Sequence, residues 1–81
     1  MQDTNSNLFQ TRDLYFASFL LATGSDLLDL VFDESGGFFW FQFGDKQSCE
    51  QKDREFQLNK LVVNAKDMAE SIKYLKKRVT Q

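Results

Sequence analysis

The segment that decides the fold is residues 27–43, LLDLVFDESGGFFWFQF. Two runs of β-favouring residues flank the Gly-Gly pair at 36–37, and this arrangement is typical of a β-hairpin. A four-residue loop would pair Asp33 with Phe38, whereas a two-residue loop would pair Ser35 with the same phenylalanine. Either loop sets even positions of the first strand against odd positions of the second, so both predict the same two faces.

The parity of the hairpin separates a wholly apolar face from a mixed one. We expect the apolar face to be the core face, and it comprises Leu28, Leu30, Phe32, Phe39, Phe41 and Phe43. The opposite face comprises Leu27, Asp29, Val31, Asp33, Phe38, Trp40 and Gln42. Exposed aromatic side chains on a sheet can stack unpaired bases, but carboxylates beside them repel phosphate. The second face therefore favours a protein interface, or cover by a helix, over a nucleic-acid platform.

Upstream of the hairpin, the sequence predicts a short strand and a buried helix. Residues 7–10 can form the strand. Thr11 has the chemistry of a helix N-cap, and we expect a helix over residues 12–23 that ends at Gly24. Its apolar residues cover nearly the whole circumference, which in so small a protein requires other helices or a partner chain around it.

Two further helices are expected after the hairpin. Residues 48–61 form a highly charged, weakly amphipathic segment. Asn64 is a good N-cap for the last helix, and Asp67 lies three residues further on. The core stripe of that helix recurs at helical spacing and comprises Met68, Ile72, Leu75 and Val79. The predicted fold is α+β with the order β-α-β-β-α-α: a short strand, a buried helix, a β-hairpin and two helices packed on one sheet face.

The length of the chain bounds its organisation. Eighty-one residues leave room for one small domain, which we place at residues 7–81, preceded by a disordered N-terminus at residues 1–6. Nine Phe, one Trp and two Tyr supply the large apolar side chains that such a short chain needs for a core.

Composition argues against catalysis. The chain has no histidine and one cysteine, Cys49, so the commonest metal ligand and general base is missing and no intrachain disulfide can form. Asp29 and Asp33 would lie about 13 Å apart on one strand, farther than the carboxyl pairs of glycosidases. We therefore expect a non-enzymatic protein with no catalytic, cofactor or metal site and no small-molecule substrate.

Targeting signals are also missing from the sequence pattern. The N-terminus carries no basic region before an apolar stretch, which argues against a secretory signal. The longest mostly apolar segment, residues 14–22, is far shorter than the roughly 20 residues that a membrane span requires. With a lone thiol, these features predict a cytoplasmic protein with no membrane partner.

The net charge of −2 is unevenly distributed. Residues 1–45 hold one cation and seven anions, whereas residues 46–81 hold nine cations and five anions. Four of the cations cluster near the end of the last helix: Lys73, Lys76, Lys77 and Arg78. Cations suit a helix C-terminus, and they could also contact phosphates. Nucleic-acid binding through this helix is accordingly the alternative function.

Several short motifs resemble a small family of domains of unknown function encoded by phages and bacteria. Residues 9–14, FQTRDL, are similar to its T-x-D-L turn, and Ala17, Leu20-Leu21 and Gly24 are similar to the helix that follows. Phe39, Phe41 and Phe43 stand at its hairpin, while Val63-Asn64 and Leu75-Lys76 stand at its last helix. The likeness spans residues 8–79, with Ala65 where a proline is usual. It implies a phage or prophage setting, no reaction and no ligand.

These observations together predict an interaction module that binds a macromolecular partner. The partner is expected to be a protein, and in the first instance a second copy of the chain. In a phage setting, an adaptor or an inhibitor of a host protein would fit. The candidate interface residues are Leu27, Val31, Phe38 and Trp40 of the hairpin, with Tyr15 and Phe19 of the first helix.

Overall fold

The structure is a computed structural model that describes residues 7–58 and 63–79. Its elements in chain order are β1 (Phe9–Thr11), α1 (Leu14–Ala22), β2 (Leu27–Asp33), β3 (Phe38–Phe43), α2 (Lys46–Gln57) and α3 (Ala65–Val79). The strands form one antiparallel sheet in the order β1-β3-β2. This confirms the predicted α+β fold and its element order. The predicted N-terminal disorder and the last residues of the predicted 48–61 helix lie outside the described residues.

Strand β1 is displaced from its predicted position and pairs within the chain. It was expected at residues 7–10 but spans Phe9–Thr11. Phe9 pairs with Phe43 and Thr11 with Phe41, so β3 becomes the central strand. The helical N-cap is consequently Asp13 rather than Thr11, because Thr11 is still part of the strand.

The two ends of α1 have clear local causes. The Asp13 carboxylate accepts hydrogen bonds from the backbone N–H groups of Tyr15, at 2.9 Å, and Phe16, at 3.2 Å. Its negative charge also suits the positive end of the helix dipole. At the other end, Gly24 has a φ of 96°, in the left-handed region that favours glycine. The N–H of Gly24 donates to Leu21 O and that of Ser25 to Leu20 O, which closes the helix as predicted.

Helix α1 is the centre of the core. Its five consecutive residues 16–20 are all buried. All of them except Ser18 join Phe41 and Phe43 of β3, Cys49 of α2 and Leu75 of α3 in one core cluster. Of the two explanations for its apolar circumference, cover by other elements of the same chain is therefore correct. Phe19 is 2% exposed, so its assignment to an interface is wrong.

The hairpin has the four-residue loop and the predicted register at its tip. Asp33 pairs with Phe38, and this register continues down to Asp29 opposite Gln42. A bulge between Leu27 and Asp29 then shifts the pairing by one residue, so that Leu27 lies opposite Phe43.

The bulge overturns two face assignments. Leu27 packs against the core, which contradicts its placement on the second face, while Leu28, expected in the core, is 57% exposed. Phe32 was also expected in the core but is 50% exposed. Its ring instead contacts Phe39, with centroids 5.0 Å apart, near the hairpin tip. Neither ring belongs to the core cluster.

Helices α2 and α3 begin at well-defined caps. Helix α2 starts two residues earlier than expected, because the Asp45 carboxylate accepts from Ser48 N–H at 3.3 Å and caps it. The predicted cap of α3 is confirmed, since Asn64 Oδ1 accepts from Lys66 N–H at 2.9 Å and from Asp67 N–H at 3.1 Å. From the predicted stripe of α3, Leu75 is buried, and Met68 and Val79 pack against the core.

Candidate protein-interaction surface

The outer sheet face is the side of the sheet opposite α1. Its members on β2 and β3 are Asp29, Val31, Asp33, Phe38, Trp40 and Gln42. Since the buried side chains of β3, Phe41 and Phe43, point to the helices, the described helices all pack on the opposite side. Val31 is 39% exposed, and Phe38 and Trp40 are half-buried.

The Phe38 ring is held in place by three neighbours: Trp40, Arg12 and Gly36. Phe38 and Trp40 meet edge to face, with ring centroids 5.2 Å apart and planes at 75°. The Arg12 guanidinium lies 4.6 Å from the centre of the Phe38 ring, in cation–π geometry. The same ring lies so close to Gly36 that a Cβ at that position would collide with it. The aromatic pair is thus fixed before any partner arrives.

Asp33 organises the turn beside this pair. Its Oδ1 accepts from Ser35 N–H at 3.0 Å, Ser35 Oγ at 2.7 Å and Gly36 N–H at 3.1 Å, and its Oδ2 accepts from Trp40 Nε1 at 3.3 Å. The hydrogen bond from the Ser35 hydroxyl, followed by those from Gly36 N–H and Trp40, lowers the pKa of Asp33 below its usual value. Asp33 therefore stays ionised and orients the indole ring.

Polar side chains surround the aromatic pair. Gln42 Nε2 donates to Gln10 Oε1 at 2.8 Å across the sheet. Asp29 is exposed, and its Oδ1 accepts from the backbone N–H of Leu30 at 2.8 Å. An aromatic centre with a polar rim is the usual composition of a protein–protein interface.

The structure does not bring all six predicted interface residues together. Val31, Phe38 and Trp40 share the outer sheet face, whereas Leu27 and Phe19 pack into the core. Tyr15 is 55% exposed but belongs to α1, on the other side of the sheet. Sequence reasoning missed Arg12, whose guanidinium reaches the face from just beyond β1.

The basic end of α3 is divided between two sides of the helix. All four predicted cations are exposed. At about 100° per residue, Lys73 and Lys77 share a side with Lys66, a cation that sequence reasoning did not include. Arg78 points elsewhere: its Nη1 donates to Tyr74 OH at 2.6 Å, and its guanidinium lies 5.5 Å from that ring.

A groove of about 630 Å³ separates α3 from the start of β2. It was not predicted, because its walls come from segments far apart in the sequence. Its acidic lining residues are Asp26, Asp29, Asp67 and Glu70, and its exposed apolar ones include Leu28 and Tyr74. Among the described residues that line it, Arg78 is the single cation.

Reactive chemistry has little support in the described part of the chain. Cys49 is fully buried, and burial raises the pKa of its thiol. Across residues 7–58 and 63–79, no three acidic, cysteine or histidine side chains are grouped so that they could hold a metal ion. Within the same ranges, no helix combines the length and apolarity needed to cross a membrane.

Comparison with protein-family models, with curated proteins and with solved structures finds no match to this chain. The resemblance to a phage and bacterial family is not tested by this result and stays a prediction.

Proposed function

We propose that the chain is a non-enzymatic interaction module that binds a protein partner through the outer sheet face. The observation that carries this proposal is the half-buried pair Phe38 and Trp40, which contacts Arg12 and Asp33 and lies beside exposed Val31 on the side of the sheet away from the described helices. Rigid aromatic side chains tend to dominate interface energetics, because little conformational entropy is lost when they are buried.

A second copy of the chain is the first partner to test. Arg12 reaches the face from the β1 edge, whereas Asp29 and Asp33 lie on β2 at the other edge. Two faces stacked about a two-fold axis along the strands would set β1 of each copy over β2 of the other. Such stacking juxtaposes opposite charges, so it supports a homo-oligomer. The face is only three strands wide, so we expect a weak complex.

The test is light scattering over a hundredfold dilution of the wild-type protein and two alanine variants. Trp40→Ala should abolish any concentration-dependent mass above about 9.5 kDa. Tyr74→Ala is the matched control, because Tyr74 is an exposed aromatic residue on α3 and should leave association unchanged. Equal loss in both variants would contradict the assignment of this face.

A different protein is the second partner to test, and a role as a phage or prophage adaptor or as an inhibitor of a host protein is part of the proposal through the resemblance alone. A wild-type chain that is monomeric at high concentration removes the homo-oligomer. Retention of a defined protein by the wild type and by Leu58→Ala, an exposed residue at the end of α2, with loss in the Trp40 variant, would then support the face.

Nucleic-acid binding is the second candidate, and the exposed stripe of Lys66, Lys73 and Lys77 favours it. Its affinity for a mixed-sequence duplex should fall steeply as salt rises. Replacing the three lysines with Gln should abolish it, whereas Arg78→Gln should have a smaller effect, because Arg78 lies on another side of the helix. Undetectable binding at low salt would remove this candidate.

A further inference from the structure

The free edge of β2 is the largest unpaired backbone surface of the described sheet. Strand order makes β1 and β2 the two edges, and β2 has seven residues against three in β1. Three apolar side chains on β2 are substantially exposed: Leu28 (57%), Val31 (39%) and Phe32 (50%). A long edge strand with exposed apolar residues is a template for pairing with another chain.

Two hydrogen bonds show which backbone groups point away from the sheet. Gly37 N–H donates to Asp33 O at 2.7 Å, so the backbone of Asp33 faces β3. Because backbone N–H and C=O groups alternate in direction along a strand, those of Leu30 and Phe32 point to the free edge. The Leu30 N–H agrees, because its acceptor is the side chain of Asp29 rather than a carbonyl of β3.

Charge decides what can pair there. If two copies of β2 paired antiparallel through Leu30 and Phe32, Asp29 of each copy would lie opposite Asp33 of the other. Like charges directly opposite each other are destabilising, and Asp33 stays ionised because its pKa is lowered. A second copy in this register is therefore disfavoured at the edge, whereas a strand with cations opposite both aspartates is favoured.

We propose that this edge accepts an antiparallel strand from a partner protein with the pattern Lys/Arg–apolar–x–apolar–Lys/Arg. The two cations lie opposite Asp29 and Asp33 on the outer face, and the apolar residues lie opposite Leu30 and Phe32. The inference rests on the proposed function, since it specifies the partner of an interaction module, but it uses the edge of the sheet rather than Trp40.

The partner strand would replace an existing hydrogen bond, the one that Leu30 N–H donates to the Asp29 carboxylate. When a partner carbonyl accepts the Leu30 N–H, the Asp29 carboxylate is released and becomes available to the partner's cation. Side chains on the helical side of the added strand enter the groove between β2 and α3, where Leu28 and Tyr74 are exposed. Backbone pairing with alternate side-chain pockets is the general mode of strand addition.

The test is a ¹⁵N-NMR titration with the peptide Gly-Ser-Lys-Val-Thr-Val-Lys-Ser-Gly. We expect the amide signals of Leu30 and Phe32 to shift and to become protected from exchange. Replacing both lysines with Glu should weaken binding roughly tenfold, from the loss of two exposed charge pairs. Replacing either Val with Pro should abolish it, because the peptide N–H that bonds the edge is removed.

Protein variants make the charge argument specific. In the peptide, the second Lys lies opposite position 29. The Asp29→Lys variant should therefore bind the peptide with that Lys replaced by Glu better than the original peptide. Glu50→Lys on exposed α2 makes the same charge change and should leave the preference as in the wild type. If Asp29→Lys misfolds, Asp29→Asn is the alternative variant, because it keeps an acceptor for Leu30 N–H. It should weaken binding of the Lys peptide a few-fold.

Three results would overturn the inference: no binding of the Lys peptide, signal changes confined to α3, or equal weakening by Asp29→Asn and by a Glu50→Gln control. None of them decides whether Phe38 and Trp40 form an interface, which the Trp40 and Tyr74 variants test separately in self-association. Conversely, if the peptide binds at the edge and Trp40→Ala has no effect on association, the inference holds and the outer sheet face is not the interface.

Discussion

Alanine substitution at three successive positions of β3 should separate core from contact surface. Phe41 is 2% exposed and belongs to the core cluster, whereas Phe39 and Trp40 are half-buried and lie outside it. Phe41→Ala removes a phenyl ring from a closed environment, which costs about 3–5 kcal/mol of unfolding free energy. A domain of 81 residues has a total of about 4–12 kcal/mol, so this variant should lose a quarter or more of its unfolding free energy.

The neighbouring variants should cost much less. Phe39→Ala forfeits a half-buried ring and its contact with Phe32, worth about 1–2 kcal/mol. Trp40→Ala forfeits packing on Phe38 and a hydrogen bond to Asp33, for a similar loss. Urea titrations followed by circular dichroism give the three unfolding free energies directly.

Two results would refute this reasoning. If Trp40→Ala unfolds the chain while Phe41→Ala leaves it folded, the register is wrong by one residue and the faces are exchanged. If Phe39→Ala costs as much as Phe41→Ala, the hairpin tip is packed more tightly than its exposed Phe32 indicates. The matched residue type at positions 39 and 41 makes that comparison independent of side-chain size.

Further predictions concern the ends of α1 and the hairpin turn. Gly24→Ala should lower stability by about 1–2 kcal/mol in thermal melts, purely from backbone strain, because no atom lies within 4 Å of the added Cβ; an unchanged melting temperature would contradict the left-handed conformation. Asp13→Ala should cost about 1 kcal/mol and Thr11→Ala distinctly less, since Asp13 caps the helix; the reverse order in urea titrations would restore Thr11 as the cap. The pKa of Asp33 is lowered in the folded state, so its contribution is present above the usual carboxyl pKa and is lost as the pH falls through the lowered value. Stability should therefore fall less steeply below about pH 4 in Asp33→Asn than in the wild type, and identical slopes would contradict this assignment.

Local sequence patterns were sufficient for much of the fold. A period of two residues and a Gly-Gly turn located the hairpin, and the pairing of Asp33 with Phe38 followed one of its two possible loops. The last helix was predicted from its cap, Asn64, and from a 3.6-residue apolar repeat. Both signals arise from interactions between residues close in sequence, which is why they can be interpreted without a structure.

The bulge at Leu28 could not be predicted in the same way. Leu27 and Leu28 are both leucines, so either one satisfies an alternating pattern that places an apolar residue in the core. The choice between them depends on the pairing with Phe43 and on the packing of α1 underneath. Likewise, an apolar helix surface has the same sequence whether its cover is α3 or a partner chain, and this ambiguity placed Phe19 in an interface.

The candidate site combines residues that local patterns identify with contacts that they do not. The parity of β3 placed Trp40 and Phe38 together on the second face. Their fixation depends on Arg12, from beyond β1, and on Asp33, from across the hairpin, and both contacts require the tertiary register. Sequence analysis considered Asp33 for its place on the second face and as one of a carboxylate pair, whereas the structure gives it three hydrogen-bond donors in the turn and a fourth from Trp40 of β3.

The position of the aromatic pair supports an interaction role over a purely structural one. The core cluster is formed by residues of the helices and by the side chains of β3 that face them, and Phe38 and Trp40 are not part of it. Together with exposed Val31 they leave an apolar patch in contact with solvent, and such patches promote non-specific association in a protein with no partner. Charged side chains bracket the pair, with Arg12 at one edge and Asp29 and Asp33 at the other. These charges oppose indiscriminate contacts through desolvation and repulsion, yet admit a partner of complementary charge, which is how specific interfaces are built.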